Sequence, residues 1–457
     1  MSFFLYDMIF LVLFTLFVVV FLYVKRKGLK KEGIMFLYRT KLGLKIIDSI
    51  GGKHKKFLNY LSYFVIFCGY ALMAASLYLI FQMVYMFAIS PELVKAVKIP
   101  PIAPLFPYIT TVFKADYLPP FYFTYWIVTI VITATVHEFF HGIFARKDNV
   151  KIKSTGFAFL GPFLAAFVDP EEKDIKKVKN HKQLAAISAG TFANLLVAIL
   201  FSLISLLFIS FAFVPAGATF SVYTFSQINV SSIEGITNNT LLIDGINFTG
   251  IKSNNKTYFL DEDTLEEVNN GNHSVIYAFD DTPAIRNKLR GAIIGFEDIE
   301  IKNNEHLSKV ISLYSPGDNV TIKTLFNNSV EEYNITLIAR QDDKTKPYIG
   351  IASYQMNFLG KILSKILLLG DYKPRFANDL IIFIRDLLYW LILINLGMAF
   401  FNMVPSSVLD GGRFFYITML SITKSEKFAG YSYKIVSSLI LAILLFITII
   451  WGFHFFS

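Results

Sequence analysis

Six apolar runs of spanning length limit what this chain can fold into more than any other feature: residues 3–24, 58–89, 121–145, 184–214, 378–404 and 435–451. A helix rises about 1.5 Å per residue, so about 20 apolar residues cover a hydrocarbon core roughly 30 Å thick. Lipid offers no hydrogen bonds, so each run must satisfy its own backbone, and a helix does so. The sequence therefore predicts a polytopic α-helical membrane protein with about six transmembrane helices. Bulk figures agree: 54% of the 457 residues are hydrophobic and the mean hydropathy is +0.52.

Charge supplies the topology. The net charge of +9 comes from basic blocks beside the spans, a positive-inside pattern and not a nucleic-acid footprint. Residues 25–56 are the richest block and are read as cytoplasmic, which puts the N-terminus outside and makes the spans alternate from there. The first run has no positive segment before it and no small-residue cleavage site after it, so it is read as a retained anchor. Cys68 is the only cysteine, which excludes an internal disulfide and a thiolate metal cluster.

The third run carries VITATVHEFFHGIFAR at residues 131–146. Residues four apart share a helix face, so His137 and His141 form a two-histidine metal platform with Glu138 beside it. Imidazoles and carboxylates inside lipid are costly unless they have a task. The chemistry that fits is a zinc site in which Glu138 takes a proton from metal-bound water. Counting from residue 121, His137 lies roughly 24 Å below the outer surface, within the membrane but nearer the cytosol. Asp410 is brought to the same depth by the fifth span, the only carboxylate delivered there by another span, and is read as the third ligand. On the fourth span, Ser188, Ala189, Gly190 and Ala193 allow close helix packing. Asn194 is either a packing amide with one hydrogen bond or a holder of substrate backbone or developing oxyanion.

Shorter segments are read as follows. The proline-rich stretch 91–120 cannot be one helix and is taken as a loop in the headgroups, the alternative being a cover over the site. Residues 156–168 are apolar but too short to cross and are broken at Gly161-Pro162. They are a re-entrant hairpin whose edge pairs with extended peptide, or a surface loop with an apolar face. Residues 215–355 have a soluble composition, an excess of acidic residues and all eight Asn-X-Ser/Thr sequons, at Asn229, Asn238, Asn247, Asn255, Asn272, Asn319, Asn327 and Asn334. This region is read as exoplasmic. A short helix at 306–314, a Pro316-Gly317-Asp318 turn and strands at 320–325, 332–339 and 348–352 look like the second half of a PDZ domain. Residues 358–369 are read as an interfacial helix, and Arg385 with Asp386 as an interfacial pair or a gate.

HEFFH at 137–141, the Gly190-xxx-Asn194 spacing and the Asn402-xx-Pro405-x-Ser407-xx-Asp410-Gly411 segment, with a PDZ-like region between them, resemble the site-2 protease class of intramembrane zinc metalloproteases. The resemblance covers residues 121–214 and 378–412, and the soluble region more loosely. It implies regulated cleavage of a membrane-spanning protein substrate, after an upstream site-1-type protease has trimmed its outer part, in the lipid bilayer of the cell membrane. Carried over by position, it implies His137, His141 and Asp410 as Zn2+ ligands and Glu138 as general base. It also implies that Gly190, Asn194, Asn402 and Pro405 position substrate.

The domains that follow are residues 1–120, two helices with a basic cytoplasmic and a proline-rich exoplasmic loop; 121–214, the first half of the catalytic core; and 215–356, the exoplasmic PDZ-like domain. Residues 357–412 hold the interfacial helix and the Leu-Asp-Gly span, and 413–457 a cytoplasmic segment and the last span. Two features depart from the family pattern: Ser407 stands where a second proline is common, and 215–280 is an extra module. A catalytically silent scaffold or receptor acting through the PDZ-like domain would not need Glu138, and a metal transporter would need a second intramembrane ligand cluster that the sequence lacks.

Overall fold

The computed structural model describes residues 3–33, 35–89, 100, 105–115, 118–160, 163–220, 222–243, 246–269, 274–326, 329–340, 342–352, 372–376 and 378–456. Half of the proline-rich stretch, the Gly161-Pro162 turn, the expected helix at 358–369 and the sequons at Asn272 and Asn327 lie outside these residues. The chain divides into two compact units, Met1–Ser205 with Ile382–Ser457, and Leu206–Ile381.

The longer helices outside the stretch 213–378 are α1 (Phe3–Lys25), α2 (Leu44–Lys53), α3 (Lys55–Ile89), α4 (Phe123–Lys147), α5 (Asn180–Ala212), α6 (Asp379–Phe401), α7 (Asp410–Thr423) and α8 (Glu426–Phe456). Six of these, all but α2 and α7, are long and apolar enough to cross a membrane. Their outward faces are apolar, as lipid requires; on α1, for example, Val12, Leu13, Phe17 and Val24 are each about 60% exposed.

Asp7 explains the one charge in the first apolar run. Its side chain is buried and accepts hydrogen bonds from the backbone N–H groups of Phe123 and Thr124, both at 2.8 Å, and from the hydroxyls of Thr124 and Tyr108, both at 2.5 Å. The first N–H groups of a helix have no partner of their own, and the helix dipole favours an anion there. Asp7 thus caps α4 from a neighbouring helix. Burial and the carboxylate together hold the Tyr108 hydroxyl protonated, well above its ordinary range.

A four-stranded antiparallel sheet lies beside α4, in the order β1 (Leu29–Glu32), β2 (Met35–Thr40), β3 (Ile152–Leu160), β4 (Phe163–Pro170). Gly156 is required on β3, because a Cβ there would lie 2.2 Å from the Tyr38 carbonyl oxygen. β4 tracks α4: the Phe163 ring packs on Trp126 with centroids 5.3 Å apart, and the Val168 N–H reaches Glu138. Twelve helical residues advance about 18 Å and five strand residues about 17 Å, so the two elements keep pace.

The basic block between the first two spans is a folded part of the core. It contributes β1 and β2 to the sheet, and α2 packs on the back of α4. A Cβ on Gly51 would come within 2.8 Å of the Ile143 carbonyl oxygen, Gly142 faces Ile47, and Arg146 pairs with Asp48 at 2.6 Å.

Among the described residues the second unit holds two larger antiparallel sheets, of five and four strands, and three two-stranded pairs. The extra module expected at 215–280 folds as five strands, β5 (Phe225–Asn229), β6 (Ile233–Ile243), β7 (Ile246–Ser253), β8 (Lys256–Asp261) and β9 (Val275–Asp280), in the order β5-β9-β8-β7-β6. The other sheet has the order β11-β10-β12-β13, from β10 (Ala292–Phe296), β11 (Ile299–Glu300), β12 (Asn319–Phe326) and β13 (Ser329–Thr336). The helix Asn304–Ile311 covers it, capped by the Asn303 side chain accepting from His306 N–H at 2.9 Å. Leu289, Ile293, Phe296 and Ile322 are fully buried in its core. The last expected strand is broken into Pro347–Tyr348 and Ile351–Ala352, with Gly350 at a φ of +94° between them.

Candidate metal centre

Three side chains from two helices converge. His137 and His141, one turn apart on α4, place their Nε2 atoms 2.9 Å from each other. Asp410, the first residue of α7, brings Oδ2 to 3.1 Å from the first and 3.2 Å from the second. Four donors held at about 2.1 Å around a tetrahedral ion lie roughly 3.4 Å apart. The observed triangle is slightly tighter than that, and it is the only such cluster of three ligand-type side chains among the described residues.

The outer nitrogen of each imidazole decides which inner one can bind a cation. His141 Nδ1 lies 2.7 Å from the Ala186 carbonyl oxygen, which only accepts, so Nδ1 carries the proton and Nε2 presents a lone pair. For His137, the Asn194 amide nitrogen lies 3.1 Å from Nδ1, while Asn194 Oδ1 is buried with no partner among the described residues. Turning the amide over exchanges these two atoms. Oδ1 then accepts from Nδ1–H, the orphaned acceptor is satisfied, and His137 Nε2 is also a lone pair. Two lone pairs and a carboxylate oxygen facing one point repel each other unless a cation sits between them. The donor set therefore fits a divalent metal, and two nitrogens with one oxygen suit zinc.

Gly190 shapes the wall. A Cβ there would lie 2.3 Å from His141 Nε2 and 2.8 Å from His137 Nε2, so α5 reaches the centre only because this position has no side chain. The loop between α6 and α7 holds Asp410 by backbone: the Asn402 carbonyl accepts from Gly411 N–H at 2.7 Å, and the carbonyl of buried Pro405 accepts from the Ser437 hydroxyl at 3.2 Å. Gly411 and Gly412 are both needed, since Cβ atoms there would lie 2.3 Å from the Met403 oxygen and 2.1 Å from the Ser406 oxygen. Ser407 is exposed on that loop.

Glu138 points to the sheet, where its Oε2 accepts from the Val168 N–H at 2.9 Å. Since β3 pairs with the other side of β4, this N–H lies on the free edge of the sheet. A cavity of about 250 Å³ runs from Glu138, His141 and Asp410 to Asp148, Lys182 and Arg413 near the end of α4. At that end the buried Asp148 carboxylate pairs with Lys147 at 2.7 Å and Lys182 at 2.6 Å.

Of the eight residues singled out from sequence, His137, His141, Asp410, Gly190 and Asn194 come together, and Glu138 adjoins them. Asn402 and Pro405 act through their backbone, one step away. The Ala186 carbonyl and the Val168 N–H were missed, and no residue-type signal could have disclosed a main-chain group.

Six helices long and apolar enough to span a membrane, with a His-His-Asp group brought together by one of them and the short helix α7, fit a polytopic membrane protein with a candidate metal site. The chain belongs to peptidase family M50, the site-2 protease family of zinc metalloproteases, whose sequence model matches residues 125–447. It is also similar, at 44% identity over 73 residues, to an uncharacterized protein of Methanocaldococcus jannaschii; the matched stretch spans 16% of this chain and 20% of that protein.

Proposed function

We propose that this chain is a zinc metalloendopeptidase that cuts membrane-spanning protein substrates within the bilayer, close to its cytoplasmic face. The observation that carries this is the convergence of two imidazole lone pairs and Asp410 beside Glu138. His137, His141 and Asp410 would hold the ion, which when bound supplies Lewis acidity, acidifying water and polarising the scissile carbonyl. Glu138 takes the proton of the attacking water and passes it to the leaving amine. Asn194 and Ala186 keep both imidazoles in the required tautomer and orientation. The cavity toward Lys182 and Arg413 lets water reach the centre from the cytosolic side.

An extended substrate segment is read as pairing with the free edge of β4, which brings its backbone alongside Glu138. That the β3–β4 hairpin runs beside a spanning helix for some 17 Å supports a re-entrant placement in the membrane. The soluble unit is read as exoplasmic and its 282–352 part as PDZ-like. In support, a groove of about 430 Å³ lies between the helix Asn304–Ile311 and residues 345–351. Such a domain would screen substrates already shortened by an upstream protease.

The test is cleavage of a tagged single-span substrate in liposomes, wild type beside Glu138→Gln, with bound zinc measured in both. The expected result is equal zinc and a rate lower by about 10²–10⁴-fold in the variant. Equal rates would remove Glu138 from the mechanism. Zinc in both with no cleavage by either, across substrates with helix-breaking residues, would favour a silent scaffold working through the PDZ-like groove.

A further inference from the structure

The basic block 25–56 carries eleven Lys and Arg against two acidic residues. Asp48 is paired with Arg146, and Glu32 with Lys30 at 2.8 Å, so the charge left over is strongly positive. Within the block, α2 buries Ile47 and Gly51 against α4, while on an adjacent side Ile46 and Ile50, four residues apart, are 53% and 37% exposed, and Leu42, just before the helix, is 70% exposed. Lys41, Lys45 and Lys53 flank the stripe and are exposed. The apolar surface continues onto the first turns of α3, where Phe57 is 65% and Tyr60 80% exposed.

An apolar stripe bordered by lysines, on a helix that follows the sheet strand β2 and runs directly into the spanning helix α3, has the chemistry of a helix lying in the membrane interface. Its position keeps it within reach of the bilayer surface at all times, and its charge matches acidic headgroups there. We propose that α2 and its flanking lysines are a seat for anionic phospholipid, and that lipid in this seat steadies the helix carrying His137 and His141. The coupling runs through close contacts. Beyond the approach of Gly51 to Ile143, a Cβ on Gly43, which also has a φ of +81°, would lie 2.3 Å from the Phe139 ring. Phe139 and Ile143 sit on α4 among the motif residues, so α2 and α4 cannot shift independently.

The test uses the full chain in nanodiscs of phosphatidylcholine alone and of equal parts phosphatidylcholine and phosphatidylglycerol. A fluorophore on Ser49→Cys, in a Cys68→Ala background, reports depth through quenching by nitroxide-bearing lipid, and chelator competition reports zinc affinity. Wild type should be quenched more and hold zinc severalfold more tightly in the anionic membrane. In Lys45→Gln/Lys53→Gln, the phosphatidylglycerol needed for half-maximal quenching should rise by about fivefold for each lysine removed. Equal quenching in the two membranes, or a double variant that behaves as wild type, overturns the seat. Lipid-dependent quenching with unchanged zinc affinity overturns the coupling. Neither readout requires turnover, so failure of the protease reading would show separately, as zinc binding without cleavage.

Discussion

Asn194 shows how much a single amide can decide. Its side chain is fully buried and faces His137 Nδ1, so it sets which imidazole nitrogen is left for the metal. Replacement by Leu preserves bulk and removes the acceptor; replacement by Asp restores one. Zinc affinity measured by chelator competition should fall about 10–100-fold in Asn194→Leu and recover largely in Asn194→Asp. An unaltered affinity in the Leu variant would return Asn194 to the substrate-positioning role its sequence pattern suggested. At this scale the sequence was legible where several polar side chains stood together in apolar runs, because the cost of their burial announces a shared partner. His137, His141 and Asp410 were found in that way. The partners that hold them were not, since the Ala186 carbonyl and Val168 N–H belong to apolar residues whose side chains say nothing about their backbone.

The spanning helices were readable as elements because length and hydropathy alone define them, and the ends of α6 came within three residues of expectation. The block 25–56 was read only as a topology marker. Its strand Leu29–Glu32 reads LKKE, with no alternation to betray it, and α2 has only ten residues. Both are held by partners far along the chain, β3 through β2 and α4 through the glycine contacts, which no local window contains. Asp7 is the clearest case of an element fixed by a distant residue. Asp7→Leu leaves the Phe123 and Thr124 N–H groups buried without acceptors, and the loss should be about 2 kcal/mol or more. The midpoint of thermal unfolding in detergent would fall accordingly, with Asp7→Asn between Leu and wild type. A Leu variant as stable as wild type would mean that water can replace the carboxylate at that helix end.

For the whole molecule, the change in composition near residue 215 falls close to the start of the second compact unit at Leu206, whereas the five-stranded module was not legible, because its strands mix polar and apolar residues with bulges in β6. If substrates are read as strands along β4, they must first unwind. Replacing Gly or Pro in a substrate span by Leu should slow cleavage in reconstituted liposomes, by more the closer the change lies to the cut; constant rates across such a series would separate recognition from the sheet edge. Gly190 carries a different implication. The atoms a Cβ would strike there are imidazole atoms, which can swing aside while the helices stay in place. One added methyl group could therefore leave a protein that inserts, folds and keeps its soluble domain, yet no longer cuts. On the proposed reading, a single residue at Gly190 separates a working centre from an inert one in an otherwise unchanged fold.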